Sequence, residues 1–544
     1  MNRSEKEFAM NRRGFLGAGV AAAGVLGSGI LHPTAFAADA KNAASSPVVD
    51  TNSGKIKGLL QDKVYSFKGV PYGAPTGGAN RFQPPAKPES WTGVRDTVEL
   101  GPRSPQVPGA AIPEWMVTGR SEGTGEDCLV LNVWTAGLKD HKRPVMLWLH
   151  GGGYAGGSAG WYSYDGTELA KKHDVVVVGV NHRLNIFGYL YLADFGNEKF
   201  AQSSNVGQLD IVAALQWVRD NIANFGGDPN NVTIFGQSGG GGKVSTLLAM
   251  PAAKGLFHRA IVQSSSNLRG TNRADATKGA EALLAKLNLK PSQLDELQKL
   301  PPRRLLQLMQ QTPQLRLSPV VDGRTLPNPP FDPGAPEFSA DVPLLIGSTE
   351  TEVTFRTNIE YRQPDDAELR DRLKDEMRVD DATADRLISV YKKGRPGASN
   401  LDLFLVMASD NWVRRNLLLE AERKAALNKA PVYTYYFAWR TPVRDGMLRT
   451  PHTLEIPFVF DNVDGAKSIT GSGQDRYALA EKMSNAWVGF ARTGNPNHKG
   501  LPNWPSYNAE QRATMIFNNE CKMVNDPYKE ERLAMNTLRP AADA

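Results

Sequence analysis

The chain has 544 residues, of which 41% are hydrophobic and 22% are charged, a composition typical of a globular protein. The formal net charge of +6 comes from 63 basic and 57 acidic residues that are scattered along the sequence rather than clustered. A small, dispersed excess of this kind excludes the basic footprint of a nucleic-acid-binding protein. The length exceeds that of most domains, but large α/β enzymes often reach it as one unit.

The first 37 residues have the pattern of an export signal. A basic segment ends in Arg12-Arg13, a Gly- and Ala-rich apolar run continues to Leu31, and Ala35-Phe36-Ala37 fits a signal-peptidase site. Paired arginines before a weakly apolar run resemble a twin-arginine signal. An uncleaved anchor is the alternative because the run is near spanning length, but its glycines favour removal. We expect a soluble periplasmic or extracellular protein, with no stable membrane insertion after the signal is removed.

Strands come first after this segment. Short alternating strands are predicted before and after Gly58, and they are followed by Pro- and Gly-rich loops. Continuous apolar runs then indicate strands that are buried on both faces, with one helix of regular apolar spacing among them. The predicted elements are strands over Pro47–Gly58, Lys63–Gly69, Cys128–Trp134, Pro144–Leu149, Val175–Val180 and Val232–Phe235, and a helix over Asp210–Phe225.

The second half is more helical. Charged amphipathic stretches over Asp366–Lys374, Asn411–Lys429 and Ala478–Thr493 predict helices, and Val342–Ile346 and Val432–Trp439 predict two further strands. This alternation predicts an α/β fold with a mostly parallel central sheet flanked by helices and with large helical insertions in the C-terminal half. We expect a link over residues 38–46, a single catalytic domain over 47–535 and a tail over 536–544.

A glycine-flanked serine follows the strand that ends at Phe235. The motif is Gly236-Gln237-Ser238-Gly239-Gly240, and a helix is predicted to begin after it, within Lys243–Met250. This strand–turn–helix context is that of the nucleophile elbow of an α/β-hydrolase, where flanking glycines avoid collisions with neighbouring elements. A plain glycine-rich turn is the alternative. The context favours Ser238 as a nucleophile.

A second glycine motif follows another buried strand. In His150-Gly151-Gly152-Gly153 the backbone N–H groups can turn toward a substrate oxygen. The N–H groups of Gly152, Gly153 and Gly239 are therefore predicted to form an oxyanion hole. The alternative, a phosphate-binding loop, lacks the Gly-Lys-Ser/Thr ending.

The serine also needs a base. Of the eight histidines, His452 is the best candidate, because it lies on a predicted loop C-terminal to the serine, as the triad order Ser–acid–His requires. His150 is expected to orient the glycine loop. His182 and His258, which lie next to arginines, are interpreted as structural.

The acid should lie between the serine and the histidine, just after a strand. Glu350 and Glu352 both follow the strand over Val342–Ile346, and spacing alone does not choose between them. Asp322, in a predicted turn, and Asp341, before the strand, are the alternatives.

These motifs together resemble the type-B carboxylesterase/cholinesterase family, including its para-nitrobenzyl-esterase-like bacterial members, along nearly the whole chain after the signal. The resemblance implies that Glu352 is the acid and His452 the base, and that no metal or cofactor is needed. It also implies an ion pair between Arg81 and Glu126. The matching stretches are Lys68–Tyr72, Gly125–Val133, Leu149–Gly153, Asn224–Ser238, Pro319–Gly323, Glu455–Phe460 and Trp487–Pro496.

The chain departs from the family pattern at three places. Gln237 stands where the family usually has Glu, and Gly239 where it usually has Ala. Losing a carboxylate beside the histidine removes an anion that would stabilise the imidazolium, and it weakens the case for a choline-like substrate. Cys128 matches a family cysteine whose usual partner position is Ser104 here, so we expect that disulfide to be absent.

The sequence therefore predicts a serine carboxylesterase that acts on a small-molecule ester through Ser238, His452 and Glu352. Amide or carbamate cleavage by the same machinery is an alternative, and so is a non-catalytic binding protein of this fold. The binding protein is the weaker alternative, because the chain keeps all three candidate triad residues.

Overall fold

The computed structural model of the protein describes residues 46–107, 122–139, 142–356 and 358–538. The predicted export signal and most of the predicted link lie outside the described residues, as does the end of the tail. The strands within the described ranges are β1 (Val48–Thr51), β2 (Gly54–Lys57), β3 (Leu59–Gln61), β4 (Val64–Pro71), β5 (Val94–Asp96), β6 (Val130–Thr135), β7 (Arg143–Leu149), β8 (Val176–Val180), β9 (Gly227–Gln237), β10 (Arg259–Gln263), β11 (Leu344–Thr349), β12 (Val432–Phe437), β13 (Ala513–Phe517) and β14 (Lys522–Asn525).

Apolar runs form the centre of one large sheet. In the described ranges its eleven strands have the order β14-β13-β12-β11-β10-β9-β7-β8-β6-β4-β3. Neighbours from β8 to β13 are parallel, whereas β14 at one edge and β6, β4 and β3 at the other pair antiparallel. The prediction of a mostly parallel α/β sheet is confirmed. A separate sheet of β1, β2 and β5 was only partly predicted, because β5 is short and exposed.

Helices cover the sheet and form the C-terminal insertions. The helix predicted over Asp210–Phe225 ends earlier, at Asn221, and a 3₁₀ turn continues to Phe225. The helices within the described ranges are α1 (Thr167–His173), α2 (Asn185–Tyr189), α3 (Val206–Asn221), α4 (Gly239–Leu248), α5 (Arg273–Lys286), α6 (Asp295–Lys299), α7 (Pro302–Gln310), α8 (Asp366–Met377), α9 (Asp381–Gly394), α10 (Asn400–Ser409), α11 (Arg415–Ala425), α12 (Ile456–Val459), α13 (Lys467–Thr470), α14 (Asp475–Thr493) and α15 (Lys529–Asn536).

The core lies on both faces of the sheet. In β7, Val145, Leu147 and Leu149 belong to one buried cluster, whereas Met146 and Trp148 belong to another. Alternate residues of a strand point to opposite faces, so these two clusters are the two sides of the same sheet. Burial on both sides favours apolar side chains on both faces, which explains the continuous apolar sequence from Pro144 to Leu149.

Two smaller predictions are also confirmed. Arg81 donates two hydrogen bonds of 2.7 Å to the Glu126 carboxylate, which is the ion pair implied by the family resemblance. Cys128 and Cys521 are both free thiols, so the family disulfide is absent.

None of the helices in the described ranges combines the length and the apolar character needed to span a bilayer.

Candidate active site

Ser238 occupies the turn between β9 and α4. Its backbone has φ 57° and ψ −130°, a region that non-glycine residues rarely adopt and that is typical of strained functional turns. The Ser238 N–H donates to the Gln263 carbonyl at 2.9 Å, and the Ser238 carbonyl accepts from the Gly242 N–H at 3.1 Å. These bonds hold the serine at the C-terminal edge of the sheet.

The glycines around the serine permit close backbone approach. A Cβ atom on Gly240 would lie 1.9 Å from the Leu149 carbonyl oxygen, and one on Gly236 would lie 2.6 Å from the Gly240 carbonyl carbon. Side chains at these positions would therefore separate the turn from the neighbouring strand. The helix begins at Gly239, earlier than the predicted start at Lys243, because these packing requirements outweigh the poor helix propensity of glycine.

The second glycine motif lies beside this turn. Gly152 and Gly153 follow β7 with φ of 92° and 61°, and the Gly152 carbonyl accepts bonds from two later N–H groups in a tight loop. Across the described ranges, the N–H groups of Gly152, Gly153 and Gly239 donate to no protein acceptor. They are free to bind a substrate oxygen, and Gly239 adds the favourable dipole of a helix N-terminus.

His452 and Glu352 form a buried pair. The His452 Nδ1 lies 2.5 Å from Glu352 Oε2, and the other carboxylate oxygen accepts from the Thr349 N–H at 2.8 Å. Both side chains are almost completely inaccessible to solvent. A carboxylate on Nδ1 fixes the imidazole tautomer and leaves Nε2 as the nitrogen that can accept a proton.

A double hydrogen bond joins the loops that carry this pair. The Thr351 N–H donates to the Thr450 carbonyl at 3.2 Å, and the Thr450 N–H donates to Thr351 Oγ1 at 2.9 Å. Each threonine is the direct neighbour or near neighbour of a member of the pair. This threonine latch sets the distance between the acid loop and the histidine loop.

The other predicted acids have different partners. Glu350 accepts a 3.0 Å bond from Arg395, Asp322 accepts backbone N–H bonds within its own turn, and Asp341 is exposed. Of the four carboxylates that the sequence left open, Glu352 is the one that contacts the imidazole.

Gln237 lies between the serine turn and the histidine. Its amide nitrogen is 3.3 Å from His452 Nδ1 and 3.2 Å from Nε2, so it is almost equidistant from the two and lies over the ring face. Among the described residues, Ser238 Oγ has no hydrogen-bond partner. The bond from serine to base in such sites often forms only when substrate binds. Contact through Gln237 nevertheless shows that the serine turn and the histidine loop meet.

Two aromatic side chains form an apolar wall on the histidine. The rings of Phe355 and Trp412 lie 5.0 Å and 5.2 Å from the His452 ring, centroid to centroid, and stack on each other. Trp412 lies in a π-helical turn over Asp410–Arg414, a feature that is frequent at functional sites. Sequence reasoning missed Trp412, because a tryptophan on an amphipathic helix indicates only a core position.

A second buried carboxyl group lies close to the pair. Glu455 accepts weak bonds from Gln263 at 3.3 Å and from Ser264 at 3.4 Å, and its other oxygen is without a partner in the described part of the chain. Burial, together with the charge of Glu352, raises the pKa of Glu455 to about 8. In the sequence, the position of Glu455 three residues after His452 could have indicated that it lies near the site.

His150, His182 and His258 have the surroundings of structural side chains. His150 and His182 stack with ring centroids 4.8 Å apart, and burial lowers the pKa of His150 to about 3. His258 accepts a backbone bond from Val232 at 3.1 Å. Throughout the ranges that the structure describes, no three His, Cys, Asp or Glu side chains are placed to hold a metal ion.

Comparisons with known proteins match esterases along nearly the whole chain. The carboxylesterase family model matches residues 45–536. A para-nitrobenzyl esterase of Bacillus subtilis (strain 168) is 36% identical over 499 residues, which are 89% of this chain and 97% of that protein. A carboxylesterase structure from Geobacillus stearothermophilus has a TM-score of 0.78 and 38% identity over 90% of this chain and 99% of that one. A structure from Clostridium hathewayi, described as an esterase that can hydrolyse aliphatic aromatic polyesters, has a TM-score of 0.80 and 33% identity over 91% and 99%.

Proposed function

This chain belongs to the carboxylesterase family and is a serine carboxylesterase, and we propose that it hydrolyses small-molecule esters through an acyl-enzyme on Ser238. The observation that carries the proposal is the buried 2.5 Å contact between His452 and Glu352 beside a serine held at φ 57°. A neutral imidazole with an ionised carboxylate behind it is the base that a serine hydroxyl needs.

Acylation begins when Ser238 Oγ attacks the ester carbonyl carbon and its proton passes to His452 Nε2. The carbonyl oxygen becomes an oxyanion that accepts hydrogen bonds from the N–H groups of Gly152, Gly153 and Gly239. Glu352 stabilises the imidazolium that forms. The tetrahedral adduct then collapses, the C–O bond to the alcohol breaks, and the imidazolium gives its proton to the departing alkoxide.

Deacylation repeats these steps with water. His452 takes a proton from water, the hydroxide attacks the acyl-enzyme carbonyl carbon, and the same three N–H groups hold the second oxyanion. Collapse of this adduct breaks the bond to Ser238 Oγ, which regains its proton from the imidazolium. The products are a carboxylic acid and an alcohol, and the enzyme returns to its starting state.

A fluorophosphonate probe tests the assignment of the nucleophile. We expect one probe per protein, and peptide mass spectrometry should place it on Ser238. Ser238→Ala should abolish both labelling and p-nitrophenyl ester hydrolysis while leaving the thermal unfolding curve in place. Ser245→Ala, on the same helix but hydrogen-bonded to the buried Glu420, is the matched control and should keep both activities. Hydrolysis by Ser238→Ala would overturn the proposal.

The N-terminal features support a second, separate part of the proposal, which concerns location. Residues 1–37 act as a twin-arginine signal, the enzyme works in the periplasm or outside the cell, and residues 47–535 form the catalytic domain. Replacing Arg12 and Arg13 together by lysine should keep the enzyme in the cytoplasm. Exported enzyme should begin at Ala38 when its N-terminus is sequenced; an intact N-terminus on the exported enzyme would contradict the cleavage site.

A further inference from the structure

Lys243 is a buried cation beneath the proposed nucleophile. It lies on α4, one turn after Ser238, and its side chain is inaccessible to solvent. The ammonium donates to the Gly153 carbonyl at 2.8 Å and to the His150 carbonyl at 3.1 Å. These two carbonyls lie at the two ends of the glycine loop that carries the proposed oxyanion donors. One side chain therefore ties both ends of that loop to the helix of the nucleophile.

Among the described residues, no opposite charge lies beside the ammonium. No carboxylate in the described ranges forms an ion pair with Lys243. The groups that face it are the Tyr154 ring, 5.3 Å from Nζ, and the imidazoles of His150 and His182, whose pKa values are lowered by burial. Burial also lowers the pKa of Lys243, to about 7. A buried unpaired charge costs stability, so an apolar residue would serve a purely structural role better.

Gly239 completes the same contact from the other side. A Cβ atom at this position would lie 2.1 Å from the Gly153 carbonyl oxygen, which is the atom that Lys243 holds. The family usually has alanine at this position. The loop can therefore approach α4 this closely only because the alanine methyl is absent, and Lys243 supplies the attraction that holds it there.

We propose that Lys243 is a positioning residue for ester hydrolysis: it clamps the loop over residues 150–153 onto α4 so that the N–H groups of Gly152, Gly153 and Gly239 converge on one oxyanion. This inference rests on the proposed role of Ser238. Because the oxyanion exists only in the transition state and the tetrahedral adducts, the clamp acts on kcat and leaves substrate binding unchanged.

Lys243→Met tests the clamp, because methionine keeps the apolar length and removes the ammonium. We expect kcat for a p-nitrophenyl ester to fall about 10²-fold with KM unchanged, the effect typical of misplaced catalytic groups. Lys424→Met is the matched control: Lys424 is also buried and also donates to two carbonyls, those of Ser339 and Ala340, but it lies on α11. The control should keep the wild-type kcat.

The inhibition constant of a trifluoromethyl ketone distinguishes a positioning role of Lys243 from a merely structural one, which would leave that constant unchanged. Its adduct with Ser238 carries an oxyanion, so Lys243→Met should raise its inhibition constant by the same factor that lowers kcat. Gly239→Ala attacks the same contact while keeping the ammonium, and it should raise the inhibition constant as well. If Lys243→Met does not fold, Gly239→Ala is the variant that tests the clamp.

The outcomes separate the two proposals. Wild-type kcat and inhibition constant in Lys243→Met, or in Gly239→Ala if only that variant folds, would overturn the clamp while labelling at Ser238 still supports the proposed function. Wild-type enzyme that is not labelled at Ser238 would overturn the proposed function itself.

Discussion

This enzyme contains two sets of buried ionisable side chains that differ in whether each group has an ion-pair partner. The arginine cluster consists of Arg395, Arg414, Glu350, Asp410 and Glu531, and every carboxylate in it has a guanidinium partner, with Arg395 bonded to two of them at 3.0 Å.

The second set consists of Lys243, Glu420 and Glu455, and in the described ranges none of the three has an ion-pair partner. Burial moves their pKa values toward neutrality, to about 7 for Lys243 and about 8 for each glutamate. Paired charges hold the insertions to the sheet, whereas the second set consists of ionisable groups that are buried without a counter-charge, at a cost in stability.

We expect the largest difference in kcat between two variants that each exchange a carboxylate for an amide, Glu352→Gln and Glu350→Gln. Glu352→Gln should lower kcat about 10³- to 10⁴-fold, because the amide cannot stabilise the imidazolium or hold its tautomer. Glu350→Gln should leave kcat near the wild-type value and lower the free energy of unfolding by about 2 kcal/mol, since Arg395 loses one of its partners. Steady-state kinetics and urea unfolding measure both. If Glu350→Gln proved the catalytically damaging change, the acid would be misassigned.

The pH dependence of stability sharpens the comparison for Lys243. Its folded pKa of about 7 is lower than its unfolded value, so the unfolded chain binds more protons above pH 7 and stability rises with pH there. Between pH 6 and pH 9 the wild type should gain about 3 kcal/mol of unfolding free energy relative to Lys243→Met. Lys55→Met, at an exposed position, is the control and should show no such gain. A pH-independent difference for Lys243→Met would contradict an unpaired buried charge.

For Glu455, the unfolding free energy should change with pH in the opposite direction. Its folded pKa of about 8 lies above its unfolded value, so its contribution to stability is complete at low pH and is lost as the pH rises toward 8. Relative to Glu455→Gln, the wild type should lose about 2 kcal/mol of unfolding free energy between pH 6 and pH 7.5. Unfolding in urea at several pH values measures the slope. Equal stability differences at both pH values would show that Glu455 is ionised throughout.

Gln237→Glu adds a buried charge beside His452, and it should have the smallest effect. A carboxylate over the His452 ring stabilises the imidazolium, so the acid limb of the kcat/KM profile should move up by about one pH unit. The kcat at pH 9 should stay close to that of the wild type. An acid limb that does not move would show that the new side chain has turned away from the ring.

Sequence reasoning predicted the sheet well, because strands that are buried on both faces need unbroken apolar runs such as Val175–Val180. It placed the start of α4 at Lys243 because four glycines disfavour a helix, whereas close contacts with the Gly153 and Leu149 carbonyls require glycine at Gly239 and Gly240. It also missed Lys243 as a site residue, since a lysine on a helix normally indicates a solvent-exposed face. Such features depend on contacts between distant segments, which no local pattern contains.

The threonine latch has a consequence for how new substrate ranges can arise. Glu352 and His452 are 100 residues apart in the chain, and the segment between them includes α8 to α11. Because Thr351 and Thr450 bond directly to each other, this contact between the acid loop and the histidine loop does not run through α8 to α11. The same segment also contains β12 and the two aromatic side chains on His452, Phe355 and Trp412, so a grafted helical segment would have to retain these to keep the catalytic distances.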